Sequence, residues 1–300
     1  MRTVIKGISS RLSLGLFLYP TLVLFVAAGV TPLGYAIYTS LHKMNLMKPA
    51  LGMPFVGLAN YVWVFTNSGA IDALLRTLQF VALSVVISFI LGAAMALLLN
   101  GRFRGASLVR AILILPMVVT PVVTGMMFKF MLEPTFGPVS YYIGRLGLGP
   151  IDWLGNPNIA IYSVVAADVW QWTPLVFLIL LAALQTLPQD VYEAASLDGA
   201  SSRQLMRYLT LPLLRTPIVL ALLLRLMDAM RAFDQIYSMT RGGPGSATEV
   251  ASVFLYNSGF RVFRMGRTAA FAVLIFAVIL VASYIFVKAT AKRAAREGTA

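Results

Sequence analysis

Between two long and mostly apolar runs lies the polar segment Asp190-Val-Tyr-Glu-Ala-Ala-Ser-Leu-Asp-Gly199, which leads to Leu209-Thr-Leu-Pro212. The flanking runs cover residues 160–184 and 213–237. A helix of about 20 residues is enough to cross the hydrocarbon core of a bilayer. The sequence therefore predicts two membrane-spanning helices joined by a polar loop that has structure of its own.

The composition indicates that lipid covers much of the surface. Of 300 residues, 59% are apolar and only 12% are charged, and the mean hydropathy is +0.83. A soluble domain carries roughly a quarter charged residues. The net charge of +13 is spread over short loops and forms no long patch, so the basic residues indicate membrane topology and contacts with membrane lipid, and no nucleic acid partner is expected.

Six segments are long and apolar enough to span a bilayer, and they predict an all-α integral membrane protein with six transmembrane helices. We expect residues 1–70 to hold an N-terminal cytoplasmic tail, the first span and a periplasmic segment. Residues 71–290 form the core with the loop at 188–212, and residues 291–300 form a basic cytoplasmic tail. The predicted spans are Leu12–Leu41, Thr77–Leu99, Ala111–Met131, Ala160–Leu184, Leu213–Tyr237 and Thr268–Val287.

The distribution of Lys and Arg predicts the orientation of the chain. One side of the membrane collects the basic groups of residues 2–11, 102–110, 203–215 and 288–296. Cytoplasmic loops carry such an excess, so both termini and the polar loop are expected in the cytoplasm. The first apolar run is too long for a signal-peptide core and is interpreted as a retained span.

Local signals within the loop predict two short helices at an angle. Asp190 precedes Glu193 by three residues, and Ser201 precedes Gln204 by the same spacing, which is the pattern of a capping box. Gly199 between them suits a left-handed turn. Taken alone, Glu193 is also explained as a residue that caps a helix and favours its N-terminal dipole.

The full spacing resembles the "EAA" loop of the permease subunits of binding-protein-dependent ABC importers, although Leu209 stands where that family usually has Ile. The resemblance implies a coupling helix that docks into a groove on a separate ATPase, which would hold the ATP and Mg, so this chain needs no cofactor. It also implies a bacterial inner membrane, two ATP-binding subunits and an external solute-binding protein. The coupling residues expected on this basis are Glu193, Ala194, Ala195, Asp198, Gly199, Arg203, Leu209, Leu211 and Pro212.

A second stretch is similar to the permeases of carbohydrate importers. Phe233-Asp is followed by Thr240-Arg-Gly-Gly-Pro244 and then Thr248-Glu, and residues 170–174 read Trp-Gln-Trp-Thr-Pro. The likeness is greatest to the subunit that pairs with a second, different permease in importers of maltose, trehalose, glycerol phosphate or polyols. It implies contacts of Gly242, Gly243, Pro244 and Thr248 with the solute-binding protein.

Charged residues inside the fifth predicted span repeat every three positions, as Arg225, Asp228, Arg231 and Asp234. Such groups are costly in lipid and face protein or a watery cavity. They either pair with one another or between subunits, or they line the substrate pathway. Asp168, Trp170, Gln171 and Trp172 form a second group, in which the tryptophans suit either sugar stacking or interfacial anchoring.

The sequence contains no motif that predicts an enzyme. Gly is never followed by Lys, which excludes the ATP-binding loop that ends in Gly-Lys-Ser or Gly-Lys-Thr. The chain has no Cys and a single His, so neither catalytic residues nor metal ligands are predicted. The alternatives are an ABC permease for another small polar solute and an ion-driven secondary transporter. The latter usually shows more spans and inverted repeats.

Overall fold

The structure, a computed structural model, describes residues 19–101, 103–147, 149 and 151–297. Within these residues the chain is helical, and β pairing is confined to one bridge between His42 and Phe55. The helices are α1 (Tyr19–Ser40), α2 (Ala59–Thr66), α3 (Ser68–Leu98), α4 (Ala106–Val118), α5 (Pro121–Met131), α6 (Pro138–Arg145), α7 (Ala160–Gln185), α8 (Gln189–Leu197), α9 (Ser202–Leu213), α10 (Arg215–Ala229), α11 (Asp234–Thr240), α12 (Ala251–Tyr256) and α13 (Met265–Glu297).

Four of these helices are each long and apolar enough to cross a membrane: α1, α3, α7 and the part of α13 from Met265 to Ile285. Two bent pairs, α4 with α5 and α9 with α10, reach the required length only together. In the part of the chain that the structure describes, the number of spans is therefore four, or six if each bent pair crosses once. The all-α fold is confirmed. The start of the first predicted span, from Leu12 to Leu18, lies outside the described residues.

The described residues form two compact units, and the first contains residues 19–68 and 255–277. Buried Asn60 joins its segments, because its Nδ2 donates to the carbonyl oxygens of Ser40 at 2.8 Å and His42 at 2.9 Å. The N–H of Gly266 donates to the carbonyl of Met44 at 3.2 Å. These bonds hold the connection after α1 against the start of α13.

The second unit, residues 69–254 and 278–300, is built around α7. Of the 26 residues of this helix, 16 are buried, including Asp168 and Gln171. One apolar cluster packs Phe80 of α3 and Ile236 of α11 against its first half, and a second packs Ala96 and Leu214 against its second half. A helix that is apolar on all sides belongs in an interior, which explains why α7 is the central element.

A glycine allows the close approach of α3 to α7. A Cβ on Gly92 would lie 2.7 Å from Cβ of Val176 and 3.0 Å from the backbone nitrogen of Phe177. Small residues at this kind of contact let helix backbones approach in membranes, where packing replaces the hydrophobic effect as the driving force.

The predicted span Ala111–Met131 is wrong as one continuous helix. The structure breaks it after Val118 and bends the two parts by 96°. Pro121 lacks the N–H that a continuing helix would need, and it disfavours helical geometry at Thr120, which is extended with ψ 144°. The Nε2 of Gln171 donates to the carbonyl of Val119 at 2.6 Å, so the break is stabilised from α7.

The predicted span Leu213–Tyr237 is also corrected. Its helix, α10, begins at Arg215 and ends at Ala229, and a turn then leads to α11. On its N-terminal side α10 is bent by 62° from α9 around buried Leu214. The charged stripe is therefore not carried by a single helix.

Candidate functional site

The polar loop consists of α8 and α9 joined by a tight turn at Gly199. The N–H of Ala200 donates to the carbonyl of Ala195 at 3.0 Å, and the N–H of Gly199 donates to that of Ser196 at 3.1 Å. This pair of bonds is a Schellman motif, which places a left-handed residue after the helix. Gly199 has φ +82°, as the sequence predicted.

One of the two predicted capping boxes is confirmed. Ser201 and Gln204 bond reciprocally at the start of α9, with the side chain of Gln204 on the N–H of Ser201 at 2.7 Å. The prediction for Asp190 is wrong. Pro188 occupies the cap of α8 without a side-chain bond, and Asp190 lies in the first turn, where its charge favours the helix dipole.

A hydrogen bond joins the two arms of the loop. The hydroxyl of Tyr192 on α8 lies 2.9 Å from Oγ1 of Thr210 on α9. Thr210 is buried and sits four residues before Leu214, which packs into the apolar cluster around the second half of α7. The loop therefore has a defined shape and continues into the membrane part of the fold.

Most of the predicted coupling residues are exposed on this loop. Leu197, a large apolar side chain, is 89% exposed, and Leu211 is 48% exposed. Apolar groups this open mark surfaces for partners when they lie together. Of the predicted residues, Glu193, Ala194, Asp198, Gly199, Arg203, Leu211 and Pro212 are exposed, and Ala195 and Leu209 are half-buried.

Arg225 of α10 is the largest side chain that is fully buried among the described residues. Its Nη2 forms an ion pair with Asp168 of α7, and its Nη1 lies 3.4 Å from a carboxylate oxygen of Asp228. Its Nε donates to the hydroxyl of Ser88 on α3 at 3.3 Å. A buried guanidinium needs such partners, and here three helices supply them.

The four charges predicted as one stripe separate in the structure. Arg225 is buried, and the side chain of Asp228 is 33% exposed. Arg231 lies in the turn after α10 and Asp234 begins α11, and both are exposed. The pairing of Arg225 with Asp168 joins the two groups that sequence analysis kept apart. The signal that could have found it is that each is an ionisable residue inside a span.

The residues near Asp168 in the sequence lie in different surroundings. Gln171 is buried at the break between α4 and α5, where its amide holds the Val119 carbonyl. Trp172 is half-buried. Trp170 packs near Phe128, with ring centroids 5.6 Å apart, and lines a cavity of about 830 Å³ between α3, α4 and α7. The other lining residues are almost all aliphatic, so this cavity offers few groups for sugar hydroxyls.

The Gly242–Thr248 segment is a compact turn bonded to itself. The hydroxyl of Thr248 lies 2.6 Å from that of Thr240 and donates to the carbonyl of Gly243 at 2.8 Å. Thr248 and Gly242 are buried, whereas Gly243 and Pro244 are half-buried. The contact of Thr248 with the solute-binding protein stays a prediction, and within this chain its hydroxyl is bonded inside the turn.

Comparison with known proteins places the chain in a family. The family described as the inner membrane component of binding-protein-dependent transport systems matches residues 88–296. The chain is 42% identical over 248 residues to the probable ABC transporter permease protein y4oQ of Sinorhizobium fredii, covering 83% of this chain and 80% of that protein. It is 36% identical over 273 residues to the trehalose/maltose transport system permease protein MalF of Thermococcus litoralis, covering 91% and 92%.

A solved structure shows the same fold. One chain of a bacterial alginate ABC transporter, in complex with an alginate pentasaccharide-bound periplasmic protein, has a TM-score of 0.81 over 94% of both chains, at 22% identity. The family match covers more than half of the present sequence, and both relatives named above are permeases. The chain therefore belongs to the binding-protein-dependent transport system inner membrane components and is a permease subunit of an ABC importer, not an enzyme.

Proposed function

We propose that this permease imports a carbohydrate or a related polyol and that its α8–α9 loop couples the movement of solute to ATP hydrolysis on a partner. The observation that carries the coupling role is the loop itself. A Schellman turn and a capping box fix its shape, and its end exposes Leu197 beside the carboxylates of Glu193 and Asp198. An exposed apolar group flanked by charge suits a groove on another protein.

The carbohydrate class rests on the relatives and on the residues after α10. Named relatives transport trehalose and maltose, and another is a sulfoquinovosyl glycerol permease of Agrobacterium fabrum, 30% identical over 283 residues. The Gly242-Gly-Pro244 turn agrees with that group. For contact with the external solute-binding protein, the half-buried Gly243 and Pro244 are the candidates of this turn.

Force from the ATPase reaches the membrane through a short path. α9 continues into α10 at Leu214, and α10 carries Arg225, which is bonded to α7 and α3. The Tyr192–Thr210 hydrogen bond links α8 to α9, so a displacement of α8 by the ATPase would also displace α9. Closure of two ATP-binding subunits would then tilt α10 and change access to the pathway, and no covalent step takes place on this chain.

The pathway residues remain a proposal. Asp228 is the member of the Arg225 cluster that is open to solvent, and a carboxylate accepts hydrogen bonds from sugar hydroxyls. Trp172 offers an aromatic face one helical turn from Asp168. Arg231 and Asp234, both exposed beyond α10, would lie at the pathway mouth or against a second, different permease.

The docking role can be tested by crosslinking, because the natural chain has no Cys. Glu193→Cys in the assembled complex should crosslink to the ATP-binding subunit, and a membrane-impermeant thiol reagent should reach it only from the cytoplasmic side. Tyr141→Cys, which is 55% exposed on α6, is the matched control. It should form no crosslink to the ATP-binding subunit, and the reagent should not label it from the cytoplasmic side. Labelling of position 193 from outside the cell would contradict both the orientation and the docking.

A second experiment concerns the turn. A Cβ on Gly199 would meet open space, but the φ of +82° strains most side chains by about 1–2 kcal/mol, and Asn is tolerated best. Gly199→Val and Gly199→Asp should insert normally yet lose solute uptake and solute-stimulated ATP hydrolysis. Gly199→Asn should retain more of both than Gly199→Val. Uptake as high as that of the unchanged chain in all three variants would refute a need for this turn.

A further inference from the structure

A cavity of about 330 Å³ lies in the first unit, between the connection that follows α1 and the start of α13. Three cationic side chains line it: Lys43, Arg264 and Arg267. Asn45 adds a side-chain amide, whereas both N–H groups of the Asn60 amide are used on the carbonyl oxygens of Ser40 and His42. This combination of several N–H donors with positive charge is the chemistry that binds an oxyanion.

The unit supplies no carboxylate to offset these charges. Residues 1–68 and 255–277 contain neither Asp nor Glu, while Lys48 and Arg261 add further positive charge to the same segments. Like charges that lie close together repel unless counter-charge is present. No carboxylate is among the lining residues of the cavity, so its cationic groups suit an anionic ligand.

The position of the cavity identifies the class of ligand. The apolar part of α1 ends at Ser40 and that of α13 begins at Met265, so the lining residues stand at the membrane–water boundary. The guanidinium of Arg267 lies 4.9 Å from the centre of the Trp63 ring. Tryptophan and basic groups are enriched at the depth of the lipid headgroups.

A separate apolar face lies along α2 and begins at Leu58, the residue before this helix. Leu58, Val62 and Phe65 follow one another at helical spacing and are 67%, 59% and 66% exposed. Such a face suits the region just below the headgroups, as in helices that lie in the plane of the membrane surface. The short helix that contributes Asn60 to the cavity therefore also carries a surface fit for acyl chains.

We propose that this cavity binds the phosphate of an anionic phospholipid, with Lys43, Arg264 and Arg267 around the headgroup and the acyl chains beside Leu58, Val62 and Phe65. A soluble phosphate shares the headgroup chemistry but would make no use of the apolar face. The site depends neither on the sugar carried nor on the coupling role of the α8–α9 loop.

The test uses the full chain with its co-purifying subunits, in mild detergent, titrated with phosphatidylglycerol or phosphatidylcholine while bound lipids are counted by native mass spectrometry. We expect preferential retention of phosphatidylglycerol. Lys43→Gln and Arg264→Gln, both at exposed positions, should each weaken it about five-fold, which corresponds to ~1 kcal/mol per basic group near a lipid surface.

Lys48→Gln and Arg261→Gln are the matched controls, because each removes one charge from the same unit outside the cavity lining. They should change retention less than two-fold, a limit set well below the ~1 kcal/mol effect of a direct contact. Equal losses in controls and cavity variants would overturn the proposal, as would equal retention of the two lipids. Displacement of phosphatidylglycerol by an equimolar amount of inorganic phosphate would assign the site to a free anion instead.

Discussion

Replacement of Arg225 should show how much the ion pair with Asp168 contributes to the free energy of unfolding. Arg225→Met keeps an unbranched apolar stem but leaves the Asp168 carboxylate, which is 1% exposed, without its partner. Loss of one partner from a buried pair costs about 3–5 kcal/mol, because the remaining charge stays desolvated. Asp168→Leu should cost less than Arg225→Met, since Arg225 keeps Asp228 at 3.4 Å.

The double variant makes this reasoning quantitative. Replacing both partners by apolar residues of similar size is often neutral, so Asp168→Leu with Arg225→Met should be more stable than Arg225→Met alone. The free energy of unfolding, measured by denaturant titration in mixed micelles, gives a coupling energy from the four-variant cycle, which we expect to reach about 2 kcal/mol. Asp228→Asn, at a position 33% exposed, is the milder control. Additive single effects, or an Arg225→Met cost below about 1 kcal/mol, would refute the importance of the pair.

Two further substitutions test the packing around α7. Gln171→Leu should destabilise the fold by about 1–3 kcal/mol because the Val119 carbonyl loses its donor, while Gln185→Leu at the exposed end of α7 should have little effect in the same unfolding assay. Gly92→Ala should destabilise the fold, because the added Cβ would contact Val176. Val176→Ala in the same chain should restore part of the lost stability. A double variant that is less stable than Gly92→Ala alone would contradict this contact.

The features that sequence analysis predicted correctly depend on neighbouring residues. The Ser201–Gln204 box and the left-handed Gly199 follow from spacing within one turn, and α7 follows from a continuous apolar run. Asp190 failed as a cap for an equally local reason. Pro188 occupies the N-cap with φ −67° and ψ 116°, so α8 begins at Gln189 and Asp190 already lies inside the first turn.

The features that were missed depend on distant partners. The break after Val118 is held by an amide 52 residues further along the chain, and Asp168 is 57 residues from Arg225. Hydropathy alone assigns both broken spans to single helices, because apolar side chains continue across the break. Only the three-dimensional arrangement reveals which polar group satisfies the freed carbonyl or the buried charge.

The placement of the Arg225 cluster has a mechanical consequence for a permease. Movement of α10 relative to α7 must either carry the Asp168–Arg225 pair as a unit or separate two charges inside the membrane, which is costly. Asp228 differs, because it belongs to α10 itself and its side chain is 33% exposed. Rotation of α10 could therefore change what Asp228 contacts while the buried pair stays intact. Under the coupling role proposed for the α8–α9 loop, a tilt of α10 about the buried Arg225 would move the Asp228 carboxylate on the partly exposed side of this helix.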